Sequence, residues 1–405
     1  MTVPDPDMAK VRRLAQVSRA FTPAAPVDNY SLFAGRLDQM HECLDAFSQK
    51  GLHIAVYGER GVGKTSLANV LPMIIMGAEL PHLGAVRVDC NTNDTYASLW
   101  RKVFRELTAL SPSLSDVPDQ VSDPEEIRFL LRDLGREALI VLDELDRVED
   151  NEALSLLADT VKTLSDHGTD VTLMFVGVAA SVEHLLGEHE SVVRNVRQVP
   201  MQRMSRDELE TLLEKGFGQV DGLSVTEGAT NRIINAAEGL PHFAHLLGLG
   251  AGRAAVSDDR SVVEQRDVDR AEAGAIQAHS MFSEYRRATD SPQPGHLFEQ
   301  VLLACAYAPR DGVGYFRAGD VRRPLSEIVE RPMGIPQFQR HLTELSGDRQ
   351  TLNREGEPRR RAYRFRNPLF QPFVKMTARA KGLISHELAA QLQDQQAASS
   401  GLGWV

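Results

Sequence analysis

Between residues 51 and 200, short apolar runs alternate with longer stretches of helical periodicity. The runs are 52–58, 85–90, 138–144, 171–179 and 196–201, rich in Val, Ile and Leu and almost continuous in hydrophobicity. A strand with one wet face alternates apolar and polar residues, whereas a strand covered on both faces of a parallel sheet reads as an unbroken run. Between the runs, residues 95–110 and 151–168 repeat apolar positions at helical spacing, and the second stretch ends on Gly168, a helix stop. Strand and helix in alternation predict an α/β layered domain with right-handed crossovers.

From Ser205 to Thr289 the strand signal disappears. Ser205 and Glu208 stand at capping-box spacing ahead of an apolar repeat, and helical patterns continue through 230–239 and, as one long stretch, 266–289. Residues 291–295, Ser-Pro-Gln-Pro-Gly, make the sharpest break in the chain. Beyond it, helices are predicted at 296–307, 319–330 and 336–346, then two short strands around a turn at 355–358, which is the element order of a winged helix. The last stretch, from Ser385, is polar and then Ser/Gly-rich, and is expected to fray. The organisation read from the pattern is an extension (1–28), an α/β domain (29–204), an all-helical domain (205–290), a winged helix (295–381) and a tail (382–405).

Composition adds three constraints. At 405 residues the chain needs more than one domain, and 42% hydrophobic with 25% charged residues suits a globular protein. Cys43, Cys90 and Cys305 lack paired spacing, so neither a disulfide framework nor a zinc site is expected, and a reducing, cytoplasmic setting is the default. Early Pro and acidic residues argue against a cleavable signal peptide, and no apolar run has the length of a membrane helix.

The strongest chemical signal is Gly58-Glu59-Arg60-Gly61-Val62-Gly63-Lys64-Thr65, followed by Ser66, which matches G-x-x-x-x-G-K-[ST] between a predicted strand and a predicted helix. Such a loop turns its N–H groups onto phosphate oxygens at a helix N-terminus, with Lys64 on the β/γ-phosphates and the Thr65 hydroxyl on Mg²⁺. The apolar run at 138–142 ends on Asp143 and Glu144. Asp143 fits the acid that holds Mg²⁺ through water, and Glu144 fits a general base that polarises an attacking water. No Asn-Lys-x-Asp guanine-reading motif occurs, so the expected ligand is ATP, hydrolysed to ADP and phosphate.

These residues carry a family resemblance. Leu32-Phe33-Ala34-Gly35-Arg36, ahead of the loop, resembles the opening box of AAA+ ATPases of the origin-recognition/initiator type. In that family the segment lies over the adenine, which would place Arg36 at the nucleotide. The resemblance spans roughly residues 28–376 and implies an α/β P-loop NTPase fold with a five-stranded parallel sheet, an all-helical lid and a C-terminal winged-helix domain. Gly239-Leu240-Pro241 resembles the Gly-x-Pro motif of STAND signalling ATPases, in which Pro241 would pack near the base and His242 would face the phosphates. Pro241 is equally suited to start a helix. Arg194 lies just before the fifth strand, where related ATPases place an arginine finger that acts on a neighbouring subunit. It also suits a solvated helix C-terminus, and Arg197 is the next candidate. The chain departs from the family after the fourth strand, where Gly177-Val178-Ala179-Ala180 stands in place of a polar sensor and the first hydroxyl is Ser181. Slow turnover, as in a switch, is the expectation.

The formal net charge of −11 hides a contrast. Residues 295–381 hold 16 Lys/Arg against 9 Asp/Glu, net +7, leaving 29 against 47, net −18, in the rest. The excess gathers on the predicted hairpin at Arg354, Arg359, Arg360, Arg361, Arg364 and Arg366, with Gln337, Gln339, Arg340 and Thr343 on the preceding helix. Clustered Arg on a wing suits the phosphates of duplex DNA. The same charge suits docking on a protein or on this chain's own acidic body, and both readings stay open. Tyr363 and Phe365, alternating with Arg364 and Arg366, are expected on the hairpin's buried face.

Overall fold

The computed structural model describes residues 6–78, 83–110, 123–132, 134–179, 185, 194–278, 280–293, 295–311, 314–357 and 360–400. They form two compact units. One runs from Ala24 to Met204; the other joins the residues up to Pro23 to those from Ser205 onward.

The first unit is a five-stranded sheet of order β2-β3-β4-β1-β5, built from β1 (His53–Tyr57), β2 (Gly84–Asp89), β3 (Ala138–Asp143), β4 (Val171–Gly177) and β5 (Val196–Pro200). Every pairing is parallel. β3 and β4 are buried at every residue, which is why their sequences are unbroken apolar runs. The helices are α1 (Pro6–Ala20, in the other unit), α2 (Leu37–Ser48), α3 (Lys64–Ala78), α4 (Tyr96–Leu110), α5 (Pro124–Arg132) and α6 (Asn151–Asp166). One core joins Trp100 and Phe104 of α4, Ile127 and Leu131 of α5, and Leu157 and Val161 of α6 to Ile140, Leu142, Leu173 and Phe175 of the sheet. Asp150 starts α6 by accepting the N–H groups of Glu152 and Ala153.

Parallel strands bring the carboxyl ends of β1 and β3 to one edge of the sheet. The loop after β1 and the acids after β3 therefore share that edge, as ligand sites of open α/β sheets do. His53 sits fully buried on β1, where its Nδ1 accepts the Leu173 N–H at 2.9 Å, and burial pushes its pKa down to about 4.

The second unit opens with α1, whose Val17 and Phe21 are buried. Phe21 packs against Phe217, ring centroids 4.7 Å apart and planes tilted by 59°, and fills the space left by Gly216 and Gly248, where a Cβ would approach its ring to 2.5 and 2.6 Å. The lid comprises α7 (Arg206–Gly218), α8 (Glu227–Ala237), α9 (Pro241–Ser257) and α10 (Gln265–Ala278). The Ser205–Glu208 capping box is present at the start of α7. Two differences from the sequence pattern appear. A short parallel pair, β6 (Ser224–Val225) with β7 (Val262–Val263), staples the lid, too short for any periodicity to show. The stretch expected as one long helix is divided into α10 and α11 (Met281–Thr289).

The winged helix follows with α12 (Phe298–Tyr307), β8 (Phe316–Arg317), α13 (Ala318–Ile328), α14 (Ile335–Ser346), β9 (Leu352–Glu355), β10 (Ala362–Phe365) and α15 (Phe370–Ala380). β8 joins the hairpin as a third strand, order β8-β10-β9. Tyr363 and Phe365 are buried, as the alternation predicts. The tail does not fray where described: α16 spans His386–Ser400, with Ala389, Leu392 and Gln396 buried. Gln396 explains this order. Its amide donates to the Ala306 and Ala308 carbonyls, and its Oε1 accepts from Lys375 at 2.8 Å. These partners lie far apart in sequence, so polarity alone misread the segment.

His245 of α9 resembles His53: it is buried, it accepts the Thr22 N–H, and its pKa is pushed down to about 4. Both imidazoles are neutral in the fold and ordinary in the unfolded chain. Their contribution is therefore intact above the unfolded pKa near 6.5 and is lost as pH falls toward 4. Unfolding free energy is expected to fall by about 1.4 kcal/mol per His per pH unit across that window. Urea melts from pH 7 to 4 check it; replacing His245 by Asn should halve the slope, and an unchanged slope contradicts it.

Candidate nucleotide site

The loop after β1 is shaped by its first and last glycines. A Cβ on Gly58 would stand 2.2 Å from the Met201 carbonyl oxygen, and Gly63 has φ +97°, a conformation that L side chains avoid. α3 then starts at Lys64, so the loop's N–H groups and the helix N-terminus face the same space. Lys64 is 8% exposed and its Nζ donates to the Gly58 and Glu59 carbonyls at 3.0 and 2.9 Å. Burial pushes its pKa down to about 8, against the opposing pull of Asp146, Asp143 and Glu59. Ser66 faces the preceding segment, its Oγ accepting the Val27 N–H. Arg60 is exposed, while Val62 is fully buried.

Asp143 closes β3 and is 2% exposed. One carboxylate oxygen accepts the Glu144 N–H at 2.8 Å; the other has no hydrogen-bond donor, with the Arg87 guanidinium 3.4 Å away. Burial raises the Asp143 pKa, opposed first by the Thr65 hydroxyl and then by the Glu144 N–H and Arg87. A hydroxyl and a buried carboxylate are oxygen donors of the kind a hard divalent cation takes, although Arg87 faces the same carboxylate oxygen. Glu144 is held with φ +56° at the turn Leu145–Arg147, and its side chain is 49% exposed and paired with Arg147 at 2.6 Å.

Arg36 is buried and donates to the Val62 and Gln202 carbonyls at 2.9 and 2.7 Å, so its head group ties the loop to the segment after β5. Arg194 lies on an exposed turn just before β5, the edge strand. Because β5 runs parallel to β1 with Val196 opposite His53, Arg194 is at the far end of the strands from Gly58. Five strand residues separate those ends by roughly 16 Å, so the fold does not bring Arg194 to its own loop. Pro241 and His242 belong to the second unit: Pro241 starts α9, and His242 Nδ1 lies 3.1 Å from the Pro23 carbonyl.

On the wing, Arg354, Arg360 and Arg366 are exposed and Arg361 is half-buried; among the described residues none of the four forms an ion pair. Arg364 lies over the Tyr315 ring at 4.7 Å. Arg359 lies outside the described residues. On α14, Gln337 caps the Gly334 N–H and Gln339 donates to the Tyr363 hydroxyl, leaving Arg340, paired with Glu344, and Thr343 as its polar surface.

The sequence profile of the family described as AAA domain matches residues 48–186, which include the loop and both acids. Residues 48–186 are thus similar to an AAA domain. Among solved structures, a Walker-type ATPase of Pyrococcus abyssi shares its fold, with 17% identity, 87% of this chain and 99% of that one covered, and a TM-score of 0.51. The Aeropyrum pernix ORC1 protein, solved in complex with DNA, is 16% identical over 92% of this chain and 97% of that one, TM-score 0.48. The ORC2 protein of the same organism is 16% identical over 89% and 92%, TM-score 0.47. No curated protein sequence matches the chain. Among the described residues, no helix is long and apolar enough to cross a membrane.

Two residues of the first unit matter here that the sequence did not single out. Asp146 takes the Val178 N–H at 2.7 Å, crowds Gly177 so that a Cβ there would meet its oxygen at 2.9 Å, and its charge opposes the lowering of the Lys64 pKa more than that of Asp143 or Glu59. A carboxylate from the β3 turn thus occupies the end of β4, where the sequence lacks a polar sensor. Arg203 pairs with Glu59 of the loop at 2.5 Å. Neither lies in a recognisable motif; only the pairing of strands brings them to the loop.

Proposed function

We propose that the AAA domain binds Mg·ATP and serves as a slowly hydrolysing, nucleotide-dependent switch whose winged helix engages duplex DNA. The observation that carries the nucleotide part is the meeting of the glycine-wrapped loop, Lys64, Thr65 and Asp143 at one sheet edge. Bound Mg²⁺ would neutralise phosphate charge, with Thr65 and Asp143 holding it. Lys64 would exchange its loop carbonyls for phosphate oxygens. Glu144, once released from Arg147, would orient and deprotonate the attacking water. Arg194, remote from its own loop, would act on the site of a second subunit. Glu144→Gln is expected to retain ATP and cut turnover at least a hundredfold in a single-turnover phosphate-release assay; wild-type turnover would refute the base.

The DNA part rests on the unpaired wing arginines. Binding is expected to weaken with salt, and Arg354→Ala with Arg360→Ala should lower the log–log salt slope by about 2, since each lost phosphate contact removes about one. Anisotropy of labelled duplex DNA, with and without ATP, measures this. No binding below micromolar protein would remove DNA from the reading.

A second reading, a STAND-like switch with a protein partner, draws support from one feature. Glu238, next to Gly239-Leu240-Pro241, is ion-paired at 2.7 Å with Lys375 of the winged helix. That reading predicts a nucleotide-dependent change in elution volume without DNA affinity.

A further inference from the structure

Residues 201–203, where the chain leaves the nucleotide unit before Ser205, touch the phosphate loop at three points. Gly58 packs against the Met201 carbonyl so closely that any side chain would collide with it, and the Met201 N–H donates to the Tyr57 carbonyl at 2.7 Å. Arg36 joins the Val62 carbonyl of the loop to the Gln202 carbonyl through one nitrogen. Arg203, its side chain only 9% exposed, grips the Glu59 carboxylate with two nitrogens, Nε to Oε1 at 2.5 Å and Nη2 to Oε2 at 3.2 Å.

A two-point guanidinium–carboxylate contact fixes direction as well as distance, which a single lysine contact does not. Glu59 is also bound through its backbone, since its carbonyl accepts from Lys64 at 2.9 Å. The chain of contacts Lys64, Glu59, Arg203 is therefore continuous from the phosphate-binding ammonium to the segment that leads into the lid.

We propose that Arg203 is a positioning residue that reads the state of the phosphate loop through Glu59 and passes it to residues 201–204. The inference rests on nucleotide binding at the loop. When Lys64 turns from the Gly58 and Glu59 carbonyls to phosphate, the loop residue Glu59 loses a backbone cation and resets, and its carboxylate carries Arg203 with it. Arg36 holds the opposite side of the loop to Gln202, so the segment follows as a unit rather than residue by residue. Coupling of this kind needs two discrete arrangements that the ligand tells apart, which Lys64 supplies by exchanging one set of oxygens for another.

Hydrogen exchange measured by mass spectrometry, with and without Mg·ADP, separates the claims. In the wild type, peptides covering 58–70 and 201–208 are both expected to change protection on adding nucleotide. Arg203→Met should keep the change at 58–70 and reduce that at 201–208 at least fivefold. Arg203→Lys, which restores charge but not the two-point grip, should fall between them. The double variant Glu59→Gln with Arg203→Met should show no greater loss than Arg203→Met alone. An unchanged 201–208 response in Arg203→Met, or additive losses in the double variant, overturns the coupling. A wild-type 58–70 peptide that ignores nucleotide refutes nucleotide binding itself, and the coupling with it.

Discussion

Lys64→Ala is expected to lower nucleotide affinity by at least a hundredfold without destabilising the ligand-free protein. The ammonium already donates to two loop carbonyls, and charge-assisted hydrogen bonds contribute about 1.5–3 kcal/mol each, so losing two to phosphate costs about 3 kcal/mol or more. In the ligand-free fold the same group is costly to keep charged, since burial pushes its pKa down to about 8. Removing it takes away a buried cation whose partners are two loop carbonyls. Isothermal titration with Mg·ADP measures the first effect and thermal melting the second. Affinity within threefold of wild type would show that the loop does not hold the phosphates. A melting temperature that falls by several degrees would show that Lys64 is structural.

Lys375→Met is expected to be the most damaging single change in the second unit. Lys375 is 1% exposed, lies 2.7 Å from Glu238, contacts Gln396 and sits over the Tyr307 ring at 4.3 Å. Arg379 of the same helix makes a second buried pair with Glu272 of α10, which Arg232 of α8 also holds. Removing one partner of a buried ion pair leaves an uncompensated charge and costs about 3–5 kcal/mol, whereas replacing both by apolar groups is often neutral. For a unit of this size that cost corresponds to a melting temperature lower by about 10 °C. Calorimetry on the full chain should show it, and Lys375→Met combined with Glu238→Leu should recover most of the loss. If the single variant melts within 2 °C of wild type, the pair contributes little.

The contrast between these residues shows what a sequence displays. Lys64 announces itself because its neighbours in space are neighbours in the chain: the loop is contiguous, and its glycines, lysine and threonine occur at the spacing that phosphate geometry demands. Asp143 and Glu144 are legible for a related reason. A strand buried on both faces must be apolar, so charge at its end marks the sheet edge. Lys375 gives no such sign. Its partners come from positions 238, 307 and 396, and nothing local separates it from the neighbouring surface cations. The tail was misjudged on the same ground, because Gln396 looks like a solvated glutamine until the Ala306 and Ala308 carbonyls appear beside it.

The charge contrast is also refined by the fold. Of the cations that make residues 295–381 net positive, Lys375, Arg379 and Lys381 are spent on Glu238, Glu272 and Glu299, while Arg354, Arg360 and Arg366 of the hairpin stay exposed, as do Arg317, Arg322 and Arg331 nearby in the domain. Counting residues located the positive domain; only their pairing separated the spent cations from the exposed ones.

The amino-acid pattern alone determined the alternation of strands and helices in the first unit, the glycine-rich loop and the acids that end β3, and the helices and hairpin of the winged helix, because each depends on periodicity or on residues adjacent in the chain. The tertiary structure alone decided that Arg194 stands about a strand's length from its own loop, that Asp146 fills the end of β4, and that Glu59 and Arg203 meet. Those are distances between segments far apart in sequence, set by strand order and register, and no local pattern encodes them.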